Sequence, residues 1–186
     1  HLEDQNQISI IGDSSSKADF VQTSIELSLP KHINLNFNID GGDLSVNKII
    51  GKINLSTLGG DILIEDSEGD INSHTNGGIV NIQNSKGNAK THSFGGEITI
   101  QDFQGSIASS TIGGDINLVS IKGNVNCQSS GGSITLKDIE GNTISCRASG
   151  GEIIGENLNG EITLKCFGRD TNCLLYTSDA ADERLS

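Results

Sequence analysis

The chain has 186 residues, room for one domain of ordinary size. Its 24 Gly, single Pro, five Phe, one Tyr and lack of Trp and Met fit neither a collagen nor a helical globule. A formal net charge of −12 argues against nucleic acid or anionic lipid as a partner, and no apolar run reaches the ~20 residues of a membrane span.

The chain begins at His1 and not at Met, so a mature form or a piece of a longer protein is expected. In the first forty residues QISII (7–11), SIELSLP (24–30) and INLNFNID (33–40) alternate apolar and polar residues, and polar GDSSSKA separates the first two. Residues 1–40 are therefore expected to be an N-terminal segment of β-strands that caps whatever follows.

From Gly41 onward the sequence repeats. Gly-Gly pairs begin at 41, 59, 77, 95, 113 and 131 in steps of 18, and a seventh begins at 150. Single glycines keep the same step at 51, 69, 87, 105, 123 and 141, and again at 160 after one inserted residue near Asn142–Thr143. Counting the first Gly of each pair as one, position four reads Leu44, Ile62, Val80, Ile98, Ile116, Ile134 and Ile153. Position six reads Val46, Ile64, Ile82, Ile100, Leu118, Leu136 and Gly155. Position thirteen reads Ile53, Ile71, Ala89, Ile107, Val125, Ile144 and Ile162.

Branched residues two apart with polar residues between them are the pattern of a strand, whose side chains alternate between faces. A helix is excluded because Gly recurs about every nine residues. Each coil should hold two short strands, at about positions three to seven and twelve to seventeen, joined at Gly corners. One coil buries too few branched side chains to offset the entropy of ordering its backbone, so the coils must stack. The expected fold is all-β: a single-stranded right-handed β-helix of seven ~18-residue coils over residues 41–168, with an N-terminal β cap.

Positions fifteen and seventeen should point inward yet are small, as in Ser73 and Thr75, Thr91 and Ser93, Ser109 and Thr111. A narrow cross-section with ladders of buried hydroxyls, bonded to neighbours above and below, is expected. Cys127 and Cys146 share inward position fifteen in adjacent coils, which suits either a disulfide or two small core thiols. Cys166 falls at position seventeen, outside that column.

After Phe167 the repeat stops: Arg169 stands where the second Gly belongs and Thr171 where the Ile belongs. The run CLLYTSDAADE at 173–183 resembles the translated transposon-end adapter of sequencing libraries. That resemblance implies that residues 169–186 are a non-native or disordered tail, that residues 173–186 add no strand in register with the seventh coil, and that Cys173 and Tyr176 have no role.

The repeat carries little chemistry. The calcium-binding nonapeptide needs Asp at its sixth position, where six of these seven coils place Val, Ile or Leu. The carboxylates at position three (Asp43, Asp61, Glu97, Asp115, Glu152) have no partner carboxylate across the turn and read as a solvated acidic column. Position ten, with Glu68, Lys86, Gln104 and Lys122, excludes the aliphatic repeat of a left-handed hexapeptide helix, and no GK[ST] motif supports a phosphate loop. His74 and His92 share outward position sixteen in adjacent coils, but Ser56 and Ser110 flank them and supply no third metal ligand. Five successive 18-residue steps leave no loop to wall a cleft. No catalytic, cofactor-binding or metal residue is therefore assigned, and sparse aromatics argue against stacking-based carbohydrate recognition.

SIELSLP, then INLNFNIDGGDLSV, then tandem GGDI-x-L…G-x-I-x-x-x-T coils resemble the bacterial adhesin-type family of β-helical repeat surface proteins, over about residues 7–168. The resemblance implies an exported, extracytoplasmic chain at the cell surface or in the periplasm, with an unidentified surface protein or glycan as its partner and no catalytic residue. The alternatives are a polymer-forming β-helical scaffold of bactofilin type and a polysaccharide-active β-helix enzyme.

Overall fold

The computed structural model describes residues 7–11, 28–168 and 172–176 of the chain. They build a β-solenoid. Its strands are β1 (Gln7–Ile11), β2 (Asn34–Ile39), β3 (Leu44–Asn47), β4 (Ile53–Thr57), β5 (Ile62–Glu65), β6 (Glu68–Thr75) and β7 (Val80–Gln83). They continue as β8 (Lys86–Ser93), β9 (Ile98–Thr111), β10 (Ile116–Lys122), β11 (Val125–Ser129), β12 (Ile134–Ala148), β13 (Ile153–Cys166) and β14 (Cys173–Tyr176). All pairings between them are parallel, and the register follows the sequence repeat: Ile62 lies beside Val80, Val80 beside Ile98, and Ile53 beside Ile71. The first strand of each coil stacks in one column and the second strand in another; in β9, β12 and β13 a single strand continues around the corner between them.

The inward residues form one continuous core. Positions four, six and thirteen are almost all fully buried, from Ile53 and Ile62 through Ile144 and Ile153. A third apolar column at position nine was not anticipated: Ile49, Phe103, Ile121 and Ile139 are buried beneath the corner that joins the two strands. Ser67 and Ser85 interrupt this column, and their hydroxyls stay satisfied. Ser67 Oγ donates to the carbonyl of Glu65 at 2.8 Å and accepts from the N–H of Ile49 at 3.2 Å.

The Gly corners are set by backbone meeting backbone. A Cβ on Gly60 would overlap the carbonyl oxygen of Gly42, one on Gly78 that of Gly60, and one on Gly96 that of Gly78. The first Gly of each pair is less constrained: a Cβ on Gly59 meets nothing within 4 Å. Inward residues at position seventeen lock this corner. Thr75 Oγ1 donates to the carbonyl of Gly60 at 2.9 Å and accepts from the N–H of Gly78 at 3.1 Å. Thr57, Ser93, Thr111 and Ser129 repeat the arrangement in their coils. The expected ladders of hydroxyl on hydroxyl are thus mostly replaced by a clasp between hydroxyl and backbone. Thr91 to Ser109, at 2.8 Å, is the one such side-chain pair in the core among the described residues.

At the opposite corner, position eight holds a left-handed backbone in every coil. Lys48, Asp66, Asn84, Asp102, Ser120, Asp138 and Asn157 have φ between 49° and 58°. Short polar side chains tolerate this conformation best because they bond locally, and five of the seven are Asp or Asn.

The inserted residue falls where expected. Pairing across β12 and β13 runs at a 19-residue offset up to Glu140, opposite Asn159, and at 18 from Thr143, opposite Glu161. The extra residue is absorbed as an irregularity in the strand between Glu140 and Thr143, and the columns on either side stay aligned.

One expectation is sharpened and two need correction. INLNFNID covers the first coil as a strand of the same stack: β2 pairs with β4 at the same 18-residue offset, Leu35 opposite Ile53, and His32 bridges Ile50. The stack therefore starts about half a coil before Gly41, and β1 pairs in parallel beneath β2. Of SIELSLP, residues 28–30 form no strand and 24–27 lie outside the described residues. Finally, residues 173–176 do add a strand. β14 pairs with β13, Cys173 opposite Ile153, at an offset of 20. The first-strand edge of the seventh coil offers unpaired backbone groups, which a short extended segment satisfies whatever its side chains. Cys166 and Cys173 are joined by a disulfide with Cα atoms 6.3 Å apart. All four residues of β14 are exposed, so the strand adds backbone pairing and little core.

Two substitutions in neighbouring positions separate backbone contact from mere Gly content. Gly60→Ala is expected to lower stability by about 3 kcal/mol, and Gly59→Ala by less than about 0.5 kcal/mol, read as thermal or denaturant midpoints. Equal effects would refute the close-approach account. The core hydroxyls give a second contrast. Thr75→Val strands a buried N–H and carbonyl and should cost about 1–3 kcal/mol. Ser73 Oγ, buried with no hydrogen-bond partner, has nothing to lose, so Ser73→Ala should be neutral or stabilising.

Candidate functional site

Three surfaces run the length of the rod. The first is the acidic column at position three. These carboxylates are bonded to the next coil. Asp43 Oδ1 accepts from the N–H of Asp61 at 2.8 Å, Asp61 Oδ1 from that of Ile79 at 2.7 Å, and Asp115 Oδ1 from that of Ser133 at 2.7 Å. Glu97 Oε1 instead accepts from Thr99 and from Asn117 Nδ2, at 2.8 and 2.7 Å. Ser133 Oγ, in the same column, accepts from the N–H of Glu152 at 3.3 Å. The column is a structural ladder beside the Gly corner. No group of three or more metal-ligating side chains occurs among the described residues.

The second surface is a groove of about 760 Å³ along the position-eight corner, where Asp66, Asp102 and Asp138 alternate with Asn84, Ser120 and Asn157. Its other wall, at position ten, is mixed in charge. Lys86 Nζ sits 2.9 Å from Glu68 Oε2, with both side chains about half exposed.

The third surface is the outer face of the second-strand sheet, formed by positions fourteen and sixteen with position twelve along its edge. Inward burial of Ile71, Ser73 and Thr75 forces Asn72 and His74 outward, and the same alternation turns Lys90 and His92 out of β8. Neighbours in register form side-chain ladders: Asn72 Nδ2 donates to Asn54 Oδ1 at 3.0 Å. His74 and His92 stack with ring centroids 5.2 Å apart and an interplanar angle of 3°. Phe94, itself 48 % exposed, meets both rings edge-on, with its centroid 5.2 Å from that of His92. His92 Nδ1 lies 2.7 Å from Ser110 Oγ, and His74 Nε2 lies 3.1 Å from Asn76 Oδ1. Around the Asn and His residues the face dips into a shallow depression of about 590 Å³.

Burial, and then the adjacent imidazole of His74, hold His92 below its ordinary pKa of 6.5. A parallel imidazole pair with a hydroxyl and an amide as its other polar neighbours can donate and accept hydrogen bonds. Ser110 and His92 thus set one hydroxyl within hydrogen-bonding distance of one imidazole on an open face.

Cys127 and Cys146 lie opposite each other in β11 and β12, both buried, and form a disulfide with Cα atoms 4.7 Å apart. Of the two readings left open by the sequence, the bond is the one found. Comparison with protein-family models, with curated proteins and with solved structures found no match.

The acid response of the rod follows from His92. Its folded-state pKa is depressed, so the unfolded chain binds the proton more readily. The stability it contributes is full above about pH 6.5 and is lost as pH falls through and below that value. The thermal midpoint is expected to drop between pH 7.5 and 5.5, with a shallower slope in His92→Asn. An unchanged slope in the variant would show that other groups carry the effect.

Proposed function

We propose that this chain is a non-catalytic, extracytoplasmic, adhesin-like β-helical module that binds through columns of repeated side chains or displays them at the cell surface. The observation that carries the reading is the unbroken stack. From β2 to β13 the coils keep one register with a single inserted residue, so no loop rises to wall off a pocket. What such a rod offers a partner is one side-chain type repeated at the strand spacing, and contacts too weak singly become effective together. The resemblance of SIELSLP, INLNFNIDGGDLSV and the GGDI coils to adhesin-type surface proteins supports the same reading. So does the buried Cys127–Cys146 disulfide, a bond that persists in oxidising compartments.

Tethered to the surface of a non-adherent bacterium, the chain should raise attachment to glycan- or protein-coated plates above that of the tether alone. The purified chain should leave acidic and neutral polysaccharides uncleaved. Attachment no better than the tether, or turnover abolished by changing one carboxylate, would sink the proposal.

A further inference from the structure

The charge of this rod is unevenly placed. Carboxylates occupy positions three, seven, eight, ten and twelve, yet no Asp or Glu stands at position fourteen or sixteen in any coil from β2 to β13. Those two columns instead hold Lys90, Arg147 and Lys165 as permanent cations and His74 and His92 as titratable ones. Lys90, Arg147 and Lys165 are all exposed. Between the cations lie neutral donors and acceptors, among them Asn54, Asn72, Asn126 and Gln128. A chain of net charge −12 thus has two adjoining outward columns without a carboxylate, bordered at position twelve by Lys52, Asp70 and Glu161, and the shallow depression lies along those columns.

We propose that this face binds a linear anionic polysaccharide, one bearing carboxylates or sulfates along its chain, laid across the strands parallel to the rod axis. The inference rests on the reading of the chain as a binding module and names the chemistry of its ligand. Charge complementarity is the first argument. The acidic columns elsewhere repel such a polymer; positions twelve, fourteen and sixteen together carry Lys52, Lys90, Arg147 and Lys165 against Asp70 and Glu161, so here attraction outweighs repulsion. Spacing is the second. Lys90 and Arg147 stand three coils apart, roughly 14 Å at the inter-strand repeat, and Lys165 is one coil further on. Cations that sparse suit a polymer whose anions are intermittent and whose intervening groups are hydroxyls, which the amide ladder can bond.

Arg147 is also held in place, its guanidinium 4.4 Å from the centroid of the Phe167 ring. A stacked guanidinium keeps its N–H edge available for a carboxylate or sulfate. Nucleic acid fits less well. Duplex DNA carries one charge per about 1.7 Å, far denser than these cations, and single strands need aromatic platforms. The exposed aromatics beside this face, Phe94 and Phe167, stand four coils apart, too far for successive bases to stack on them.

The test is affinity electrophoresis of the intact chain at low salt through gels containing polygalacturonate, heparin, neutral dextran or single-stranded DNA. Retardation is expected with polygalacturonate or heparin, the pair separating carboxylate from sulfate as the preferred anion, and it should fade with added salt. Lys90→Glu with Arg147→Glu is expected to weaken binding about tenfold or more. Lys86→Glu with Lys122→Glu, an equal charge change on the corner groove, is expected to leave it unaltered. Should the first pair fail to fold, Lys90→Gln with Arg147→Gln gives the same contrast more mildly. Absence of retardation by both anionic glycans, equal loss in the two charge-reversed pairs, or stronger retention by DNA would overturn the inference. If surface attachment nonetheless persists in the tethered assay, the binding-module reading stands and only its ligand is wrong.

Discussion

Everything in this rod depends on the approach of one glycine backbone to the glycine backbone a coil below. At position two of every coil after the first, the space a Cβ would fill is already taken by the carbonyl group of the glycine below, from Gly60 over Gly42 up the stack. Position eleven repeats the constraint at the start of the second strand, where Gly69 sits over Gly51 and Gly87 over Gly69 with φ of 132° and 126°. Two columns of absent side chains therefore fix where the chain turns. The strands inherit their register from the turns, and the inward columns inherit their alignment from the strands. Each inward Ile then packs on the Ile of the neighbouring coil, as Ile62, Val80 and Ile98 do. The hydroxyls at position seventeen serve the same constraint, because glycines pressed this closely leave a carbonyl and an N–H that only a short side chain can reach.

The regularity has a cost in chemistry. Identical corners give each face the same width in every coil, so variation is confined to which side chain projects from a fixed point. The acidic column, the corner groove and the amide–imidazole face are three ways of filling such columns. What distinguishes them is charge and hydrogen-bonding type, since all run along the same axis at the same step. Function is accordingly sought in the composition of a column, and a single privileged residue has little meaning here. The His74–His92 pair shows this: each ring takes its place from the backbone, and the pair exists because two coils chose the same residue for one column.

Much of this was legible in the sequence because a fixed step of 18 turns residue identity into position. Ile, Val and Leu at positions four, six and thirteen announced the core, and the inserted residue near Asn142 could be placed by counting. What escaped was less periodic or was masked by a second meaning. The position-nine column was broken by Ser67 and Ser85, so Ile49, Phe103 and Ile121 did not read as a column. Asp and Asn at position eight fit no strand pattern, because their backbone is left-handed; their enrichment over larger residues is the signal the sequence offers. β2 lacks a Gly-Gly pair before it, which hid its membership of the stack. β14 follows neither the step nor the pattern, and pairs because an edge of β13 was open to it. Of the candidate site, the stacked imidazoles could be foreseen. The lack of carboxylates at positions fourteen and sixteen is equally written in the repeat, because outward columns differ in charge as inward ones do in size.

The disulfide between Cys127 and Cys146 has a mechanical meaning. In a β-solenoid the backbone bonds that join coils lie along the rod axis, so a pull on its two ends strips them from an end, one coil at a time. Each coil released pays out eighteen residues, roughly 60 Å of extended chain. The covalent link between β11 and β12 changes that path, because tension reaching Cys127 passes directly to Cys146 and bypasses the residues between them. That length of chain is withheld from extension for as long as the bond is oxidised, and a force–extension trace would register it as one missing step. The rod is thus a strap that unwinds in equal lengths, with one length stitched shut.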